Sequence, residues 1–175
     1  MITKILVIIM FLLIQFNIFS NSSIVVGTTT CLDEKSSPPE IDYLEIKIDT
    51  NQVVNITNST LTLVLDDNIK QQFFDYVTLG LEFINTIESE NITIEYSSKI
   101  GTIENNNRRI IVNFSTDGSI ESTKIYISIE KAGINSINSL NKDHCEELLS
   151  LLVQADNMII DIQRQKDLFN SSTEN

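Results

Sequence analysis

The two cysteines and the single histidine of this chain are its best candidates for reactive side chains. His144 directly precedes Cys145, a combination that suggests a thiol nucleophile with an imidazole base. Neighbouring residues on a helix do not face one another, so the pair is not a working dyad by itself. A surface histidine in a capping turn is the favoured interpretation. Two cysteines and one histidine also fall short of a four-ligand zinc site without carboxylates.

An even number of cysteines predicts a disulfide if the protein folds in an oxidising compartment. A bridge between Cys31 and Cys145 would constrain most of the unfolded chain and add at most about 4 to 5 kcal/mol of stability. It requires the two Cα atoms to lie within about 7 Å of each other. The alternatives are a bridge between two chains and, for Cys145, a small buried apolar side chain.

Acidic residues are numerous enough for a hydrolase that uses two carboxylates. The densest acidic pairs are Asp66 with Asp67, Glu88 with Glu90, and Glu146 with Glu147. Each pair is expected at a helix end, where acids commonly cap the helix or are solvated. The sequence has no calcium loop, glycine-rich phosphate loop, GxSxG or HExxH motif. We therefore predict no catalytic, cofactor-binding or metal-binding residue and no cofactor, and a carboxylate-dependent hydrolase is kept as an alternative.

Sequons of the form Asn-X-Ser/Thr are frequent, but the chain is rich in Asn and Ser, so their number alone settles little. A glycan needs an exposed asparagine. Strand alternation places Asn58, Asn91 and Asn113 on polar faces. We predict glycosylation at Asn55, Asn58, Asn91, Asn113 and Asn170, with occupancy of either Asn55 or Asn58 hindering the other.

The first 22 residues have the parts of a signal peptide. Lys4 supplies the positive charge, residues 5–19 are almost wholly apolar, and Ser20 and Ser22 form a small-residue pair. The apolar run is shorter than the roughly 20 residues that a membrane span needs. We predict cleavage after Ser22; cleavage after Ser20 or Gly27 and a retained anchor are the alternatives.

The chain is acidic, with 24 Asp and Glu against 12 Lys and Arg and a net charge of −12. Nucleic acids and anionic membranes bind clustered cations, so neither is an expected partner. The length of 175 residues, less the leader, is typical of one domain.

Residue patterns predict two strands and a helix in the first half of the chain. Residues 23–42 are rich in Ser and Thr, contain Pro38-Pro39 and show no periodicity, which indicates an extended lead-in. Strands are predicted at 43–49 and 53–66. Asp66 or Asp67 then caps a helix whose apolar stripe comprises Ile69, Phe73, Val77, Gly80, Ile84 and Ile87.

A three-stranded meander is predicted over residues 91–130, with Gly101 at a bulge or bend. Asp117-Gly118 between two alternating runs is typical of a two-residue type I′ turn. That turn places Val112 opposite Thr123. It also gives one apolar face, on which Ile110, Val112 and Phe114 lie beside Ile125, Ile127 and Ile129.

A capping box at Asp143 to Glu146 opens a second helix to about Phe169, and residues 170–175 are predicted to be a disordered tail. The element order ββαβββα predicts an α+β fold: a two-layer antiparallel sheet of about five strands with two helices on its apolar face. Residues 43–169 would form this single domain.

The leader, the sequons and the missing catalytic motifs favour a secreted, N-glycosylated, non-enzymatic binding module in the extracellular space or the secretory-pathway lumen. Its partner would be an extracellular protein or a glycan, and no stable membrane span is expected after signal cleavage. The alternatives are the secreted hydrolase and a carrier of a small apolar ligand between sheet and helices, which the apolar excess of residues 148–162 favours.

Overall fold

The computed structural model describes residues 23–105 and 108–173. The strands within these ranges are β1 (Ile24–Asp33), β2 (Glu40–Ile48), β3 (Val54–Thr57), β4 (Thr62–Leu65), β5 (Tyr96–Asn105), β6 (Arg108–Thr116), β7 (Lys124–Lys131) and β8 (Ile134–Leu140). The helices are α1 (Asp67–Glu90) and α2 (Lys142–Thr173). The predicted signal peptide, residues 1–22, lies outside the described residues.

All eight strands join one antiparallel sheet in the order β4-β3-β2-β1-β8-β7-β6-β5, curled into a half-barrel. The α+β class is correct, but the prediction of about five strands in a two-layer arrangement is wrong. Residues 53–66 form the hairpin of β3 and β4 rather than one strand, and β1 and β8 were not predicted.

β1 lies near the centre of the sheet, within the segment predicted as an extended lead-in. Two features make β1 hard to recognise as a strand from the sequence. A bulge between Val25 and Gly27 shifts its register and interrupts the alternation. Its buried side chains further along are Thr29 and Cys31, which do not resemble an apolar inner face. The lead-in therefore contains a central strand of the sheet.

The sheet has a narrow seam between β1 and β8. These strands pair only at Leu32 with Ser139 and Asp33 with Asn138, whereas β7 and β8 pair along their whole length. α2 packs against β1, β2 and β8 and so covers the seam. At Gly27 a Cβ atom would lie 2.5 Å from Leu151 Cδ2, which shows how closely α2 approaches β1.

α1 forms as predicted. Asp66 caps it by accepting a hydrogen bond from the Ile69 backbone N–H at 3.0 Å. Its buried residues are the predicted stripe of Ile69, Phe73, Val77, Gly80, Ile84 and Ile87. At Gly80 a Cβ atom would lie 2.5 Å from Ile125 Cδ1, so the glycine lets α1 pack closely on β7.

α2 begins one residue before the predicted capping box. Asn141 Oδ1 accepts a hydrogen bond from the His144 backbone N–H at 3.0 Å and takes the capping role. The buried residues of α2, Cys145, Leu148, Leu152 and Ala155, all lie in its first half. The helix continues to Thr173 and so includes Asn170, where a tail was predicted. No helix among the described residues is long and apolar enough to cross a membrane.

The predicted register of β6 and β7 is wrong. Val112 pairs with Ile127 rather than Thr123, because residues 117–123 form a longer loop than the predicted two-residue turn. The observed partner of Val112 on β7 lies four residues after the predicted one. Because four is an even number, the same side chains still share one face, and the predicted apolar face is correct. A two-residue type I′ turn occurs instead at Ala132 and Gly133, with φ of 51° and 83°.

The predicted irregularity at Gly101 is confirmed as a bulge, with a register shift between Lys99 and Gly101. A Cβ atom at Gly101 would lie 2.3 Å from the Tyr76 ring. The glycine therefore leaves room for Tyr76 of α1 to lie against β5.

Candidate functional site

The structure separates the predicted sequons into exposed and buried positions. Asn91 is exposed and ends α1 in the left-handed conformation, with φ of 50°. Asn113 is half-buried on the outer face of β6, and Asn170 is exposed on α2. Asn55 and Asn58, however, are only 8% and 9% exposed. The alternation argument failed at Asn58 because this residue lies in the turn between β3 and β4 rather than within a strand.

Both polar atoms of the Asn58 carboxamide form hydrogen bonds within the protein. Its Nδ2 donates to Ser136 Oγ at 2.6 Å and to Asn138 Oδ1 at 2.7 Å, both on β8. Its Oδ1 accepts from the backbone N–H groups of Leu61 at 2.7 Å and Thr60 at 2.9 Å. The side chain thus shapes the turn and ties it to β8, on the other side of the seam.

Asn138 extends this buried polar network to β2 and β1. It is fully buried, and its Nδ2 lies 3.3 Å from both Asp42 Oδ2 and Cys31 Sγ. Asp42 also accepts from Ser59 Oγ at 2.9 Å and from the Tyr43 backbone N–H at 2.8 Å. Neutral donors from three segments therefore hydrogen-bond the buried Asp42 side chain, and this network stabilises the fold.

The two cysteines are free in the structure and fully buried. Cys145 Sγ lies 4.0 Å from the Leu140 carbonyl oxygen. Cys31 precedes Leu32, which pairs with Ser139 of β8, and Ser139 precedes Leu140. Both thiols therefore lie near the same end of β8. The bridge between them stays a prediction.

Burial raises the pKa of both thiols to about 12; Asp42 adds to the effect at Cys31, and Glu146 adds to it at Cys145. A thiol with such a pKa carries almost no thiolate at neutral pH, so neither cysteine has the character of a nucleophile. His144 lies in the first turn of α2, where its backbone carbonyl accepts from Thr29 Oγ1 at 3.4 Å.

The three acidic pairs lie at helix ends, as predicted. Asp66 caps α1, and Glu88 near the other end of α1 forms an ion pair with Lys142 at 2.6 Å. The remaining members, Asp67, Glu90, Glu146 and Glu147, are exposed. In the part of the chain that the structure describes, no group of three or more His, Cys, Asp or Glu side chains could hold a metal ion.

The space between sheet and helices, where a carrier would hold its ligand, contains a cluster of buried apolar side chains from the sheet and from both helices. A shallow groove of about 670 Å³ lies elsewhere, along the far half of α2. Its described lining comes from that helix alone, including Ile160, Arg164 and Leu168.

Exposed apolar side chains come from three segments that contact one another: the second half of α1, the start of β5 with the residues before it, and the loop of residues 117–123. We define the apolar patch as Phe83, Ile94, Tyr96 and Ile120, which are 37%, 59%, 49% and 52% exposed. The rings of Phe83 and Tyr96 lie 5.6 Å and 6.4 Å from the ring of buried Phe114, measured between centroids. Two exposed aromatic side chains are therefore packed against the same buried ring.

The loop of residues 117–123 contacts the segment that carries Ile94. A Cβ atom at Gly118 would lie 2.9 Å from the backbone of Thr93 and 3.3 Å from the N atom of Ile94, so this loop packs directly on the segment that follows α1. Ile120 belongs to the same loop. Ile94 lies between the end of α1 at Glu90 and the start of β5 at Tyr96, and both Ile94 and Tyr96 stay exposed.

Acidic side chains accompany the apolar patch. Glu82, Glu95 and Glu121 are sequence neighbours of its members, and all three are exposed. The cations closest in sequence to Tyr96 and Ile120, Lys99 and Lys124, pair with Asn113 and Ser115 on the outer face of the sheet. Three exposed carboxylates therefore neighbour the apolar patch in sequence.

Comparison with known proteins gives little further information. No known protein family matches the chain, and no curated protein matches it. Among solved structures, the chain is similar to one described as "Mutations in SsgB correlate to longitudinal cell division during sporulation of Streptomyces coelicolor". The identity is 14%, the TM-score is 0.39, and the match covers 79% of this chain and 90% of that chain.

Proposed function

We propose that this protein is a secreted, N-glycosylated, non-enzymatic interaction module that binds a basic, apolar segment of another extracellular protein. The observation that carries the proposal is the apolar patch, which belongs to an acidic chain with a net charge of −12. Aromatic residues that are held rigidly by their neighbours are typical anchors of protein interfaces. Phe83 and Tyr96 have this property because both rings pack against buried Phe114.

The exposed glutamates that neighbour the patch residues in sequence favour a basic partner. Glu82, Glu95 and Glu121 would repel an acidic partner and attract a basic one. Complementary charge raises the association rate and rejects partners of like charge, while the apolar centre supplies most of the binding free energy. A segment that alternates basic and apolar side chains offers both kinds of contact.

Export is supported by the leader and by the position of β1. Cleavage after Ser22 would leave β1 whole, since this strand begins at Ile24. Cleavage after Gly27 would remove Ile24 and Val25, which pair with Ile48 and Lys47 of β2. Asn91 and Asn170 are exposed and Asn113 lies on the outer sheet face, so three sequons can carry glycans without disturbing the fold.

Binding to a defined peptide tests the role of the apolar patch. The probe is a short amphipathic peptide of Leu and Lys, compared with the same peptide carrying Glu at each Lys position, and the readout is fluorescence anisotropy. We expect the Leu/Lys peptide to bind at least about tenfold more tightly, with an affinity that falls as salt is added.

Two isoleucine variants locate the binding surface. Ile120→Ser changes the apolar patch, and Ile134→Ser changes a similarly exposed isoleucine (50%) outside the patch. Ile120→Ser should weaken the Leu/Lys peptide about tenfold, and Ile134→Ser should leave its affinity unchanged. Equal affinity for the two peptides, or equal loss in the two variants, would refute the proposal. Binding to immobilised glycans that Ile120→Ser abolishes, without peptide binding, would instead make the ligand a carbohydrate.

A further inference from the structure

We infer that Asn58 is a structural residue that stays unglycosylated in the folded protein, although it heads an Asn-Ser-Thr sequon. A glycan is attached to the carboxamide nitrogen of asparagine and needs open space around it. That nitrogen in Asn58 donates to Ser136 Oγ at 2.6 Å and Asn138 Oδ1 at 2.7 Å. Both acceptors belong to residues that are at most 3% exposed.

The role of Asn58 is to tie the two halves of the sheet together. Its turn belongs to the half formed by β4, β3, β2 and β1, whereas Ser136 and Asn138 belong to β8 in the other half. The backbone connection between the halves is narrow, with only two residue pairs between β1 and β8. The two halves share few backbone pairs, so the side-chain hydrogen bonds of Asn58 strengthen the connection between them.

A chain with a glycan on Asn58 cannot adopt the native fold. A glycan on Nδ2 would remove a donor hydrogen and force the turn away from β8, which would leave Asn138 and Ser136 buried without this partner. Chains modified there during export would lack the join between the halves. The folded protein is thus restricted to chains in which Asn58 escaped modification.

Two substitutions test the sequon and the hydrogen bonds of the Asn58 side chain separately. Thr60→Val removes the sequon but keeps the Thr60 backbone N–H, which is the group that contacts Asn58. Asn58→Asp keeps the shape of the side chain and removes its two donor hydrogens. The full chain is exported from a eukaryotic cell, its glycans are counted by intact mass, and its melting is measured after enzymatic deglycosylation.

We expect Thr60→Val to keep the glycan number and the melting temperature of the parent protein. Asn58→Asp should also keep the glycan number but lower the melting temperature by roughly 5 to 10 °C. If Asn58→Asp is not exported, Ser136→Ala removes one of the two acceptors and should lower the melting temperature by a smaller amount. Loss of one glycan in Thr60→Val, or unchanged melting in both Asn58→Asp and Ser136→Ala, would overturn the inference.

The glycan arm of this test rests on the proposed export, so a control separates the two ideas. Thr93→Val removes the sequon of exposed Asn91 and should lose one glycan. If neither the parent nor any variant carries a glycan, the proposed glycoprotein is wrong. The melting of Asn58→Asp and Ser136→Ala then still decides whether Asn58 joins the two halves.

Discussion

Lys70 Nζ lies 2.5 Å from Asp156 Oδ1, and this ion pair joins the first turn of α1 to the middle of α2. A second pair, Lys142 with Glu88, joins the start of α2 to the end of α1. The two helices are therefore antiparallel and are held together at two separate positions. Burial by itself would lower the pKa of Lys70, but the hydrogen bond and charge of Asp156 raise it above its ordinary value.

Asp156→Asn should lower the free energy of unfolding by about 1 to 2 kcal/mol, since the Lys70 side chain is only 15% exposed and would lose the closer of its two anionic partners, while Asp67 stays at 3.3 Å. Asp161→Asn is the matched control, because Asp161 and its partner Arg164 are 64% and 69% exposed. It should change stability by less than about 0.5 kcal/mol. Urea unfolding of both variants checks the pair, and equal effects would show that the Lys70 contact contributes nothing.

Gly118 and Gly133 both have positive φ, of 94° and 83°, but differ in their surroundings. A Cβ atom at Gly118 would meet the Thr93 backbone at 2.9 Å, while at Gly133 it would meet nothing within 4 Å. Gly133→Ala should cost about 1 kcal/mol through backbone strain alone. Gly118→Ala should cost at least about 1 kcal/mol more, because backbone atoms must move.

Urea unfolding midpoints of these glycine variants provide the measurement. Similar losses in the two variants would mean that the loop of residues 117–123 does not pack on the segment after α1. The apolar patch depends on that packing, so the comparison also tests its geometry.

Patterns within one element were readable from the sequence. The stripe of α1 was predicted residue by residue because a buried helix face repeats with a fixed period. The paired faces of β6 and β7 were also predicted, since a register difference of four residues preserves strand alternation. What failed were features set by contacts between distant segments.

The loop of residues 117–123 illustrates that failure. Asp117-Gly118 matches the two-residue turn motif, but the Asp117 carboxylate accepts hydrogen bonds from the Ser119 backbone N–H and from Ser122 Oγ and so organises a longer loop. Gly118 packs on Thr93, a residue far away in sequence. Burial of Asn58 by β8 was unpredictable for the same reason, because β8 was not predicted.

The cysteines give a redox prediction. We expect the exported protein to contain the Cys31–Cys145 bridge and therefore to show no free thiol in denaturant. Reduced protein should keep both thiols unreactive toward a thiol reagent at pH 8 until it unfolds, because burial raises each pKa to about 12. Two thiols in the denatured, exported monomer would exclude the bridge.

The stability of the reduced protein should depend on alkaline pH. The folded thiols have a pKa of about 12, above the ordinary value of 9.0, so the unfolded chain loses thiol protons first. The free energy of unfolding therefore falls as pH rises from 9.0 toward 12. Cys145→Ala should make this fall less steep, and an unchanged slope would contradict the burial of its thiol.

Asn55 and Asn91 head the same Asn-Ile-Thr sequon. A difference in their glycan occupancy therefore reflects their positions in the fold rather than the sequon itself. Asn55 is 8% exposed and its Nδ2 donates to the Val53 carbonyl oxygen at 3.1 Å, while Asn91 is exposed at the end of α1. Enzymatic deglycosylation in heavy-oxygen water, followed by peptide mass analysis, marks each occupied site. We expect occupancy at Asn91 to exceed that at Asn55 several-fold; the reverse order would mean that exposure in the fold does not control modification.

Export as a glycoprotein is tested most directly by the intact mass of the protein recovered from the medium of secreting cells, before and after deglycosylation. We expect a new amino terminus at Ser23, directly before β1, and a fall in mass when the glycans are removed. A chain that stays in the cell with Met1 in place and shows no change in mass after deglycosylation would contradict the proposed secreted glycoprotein.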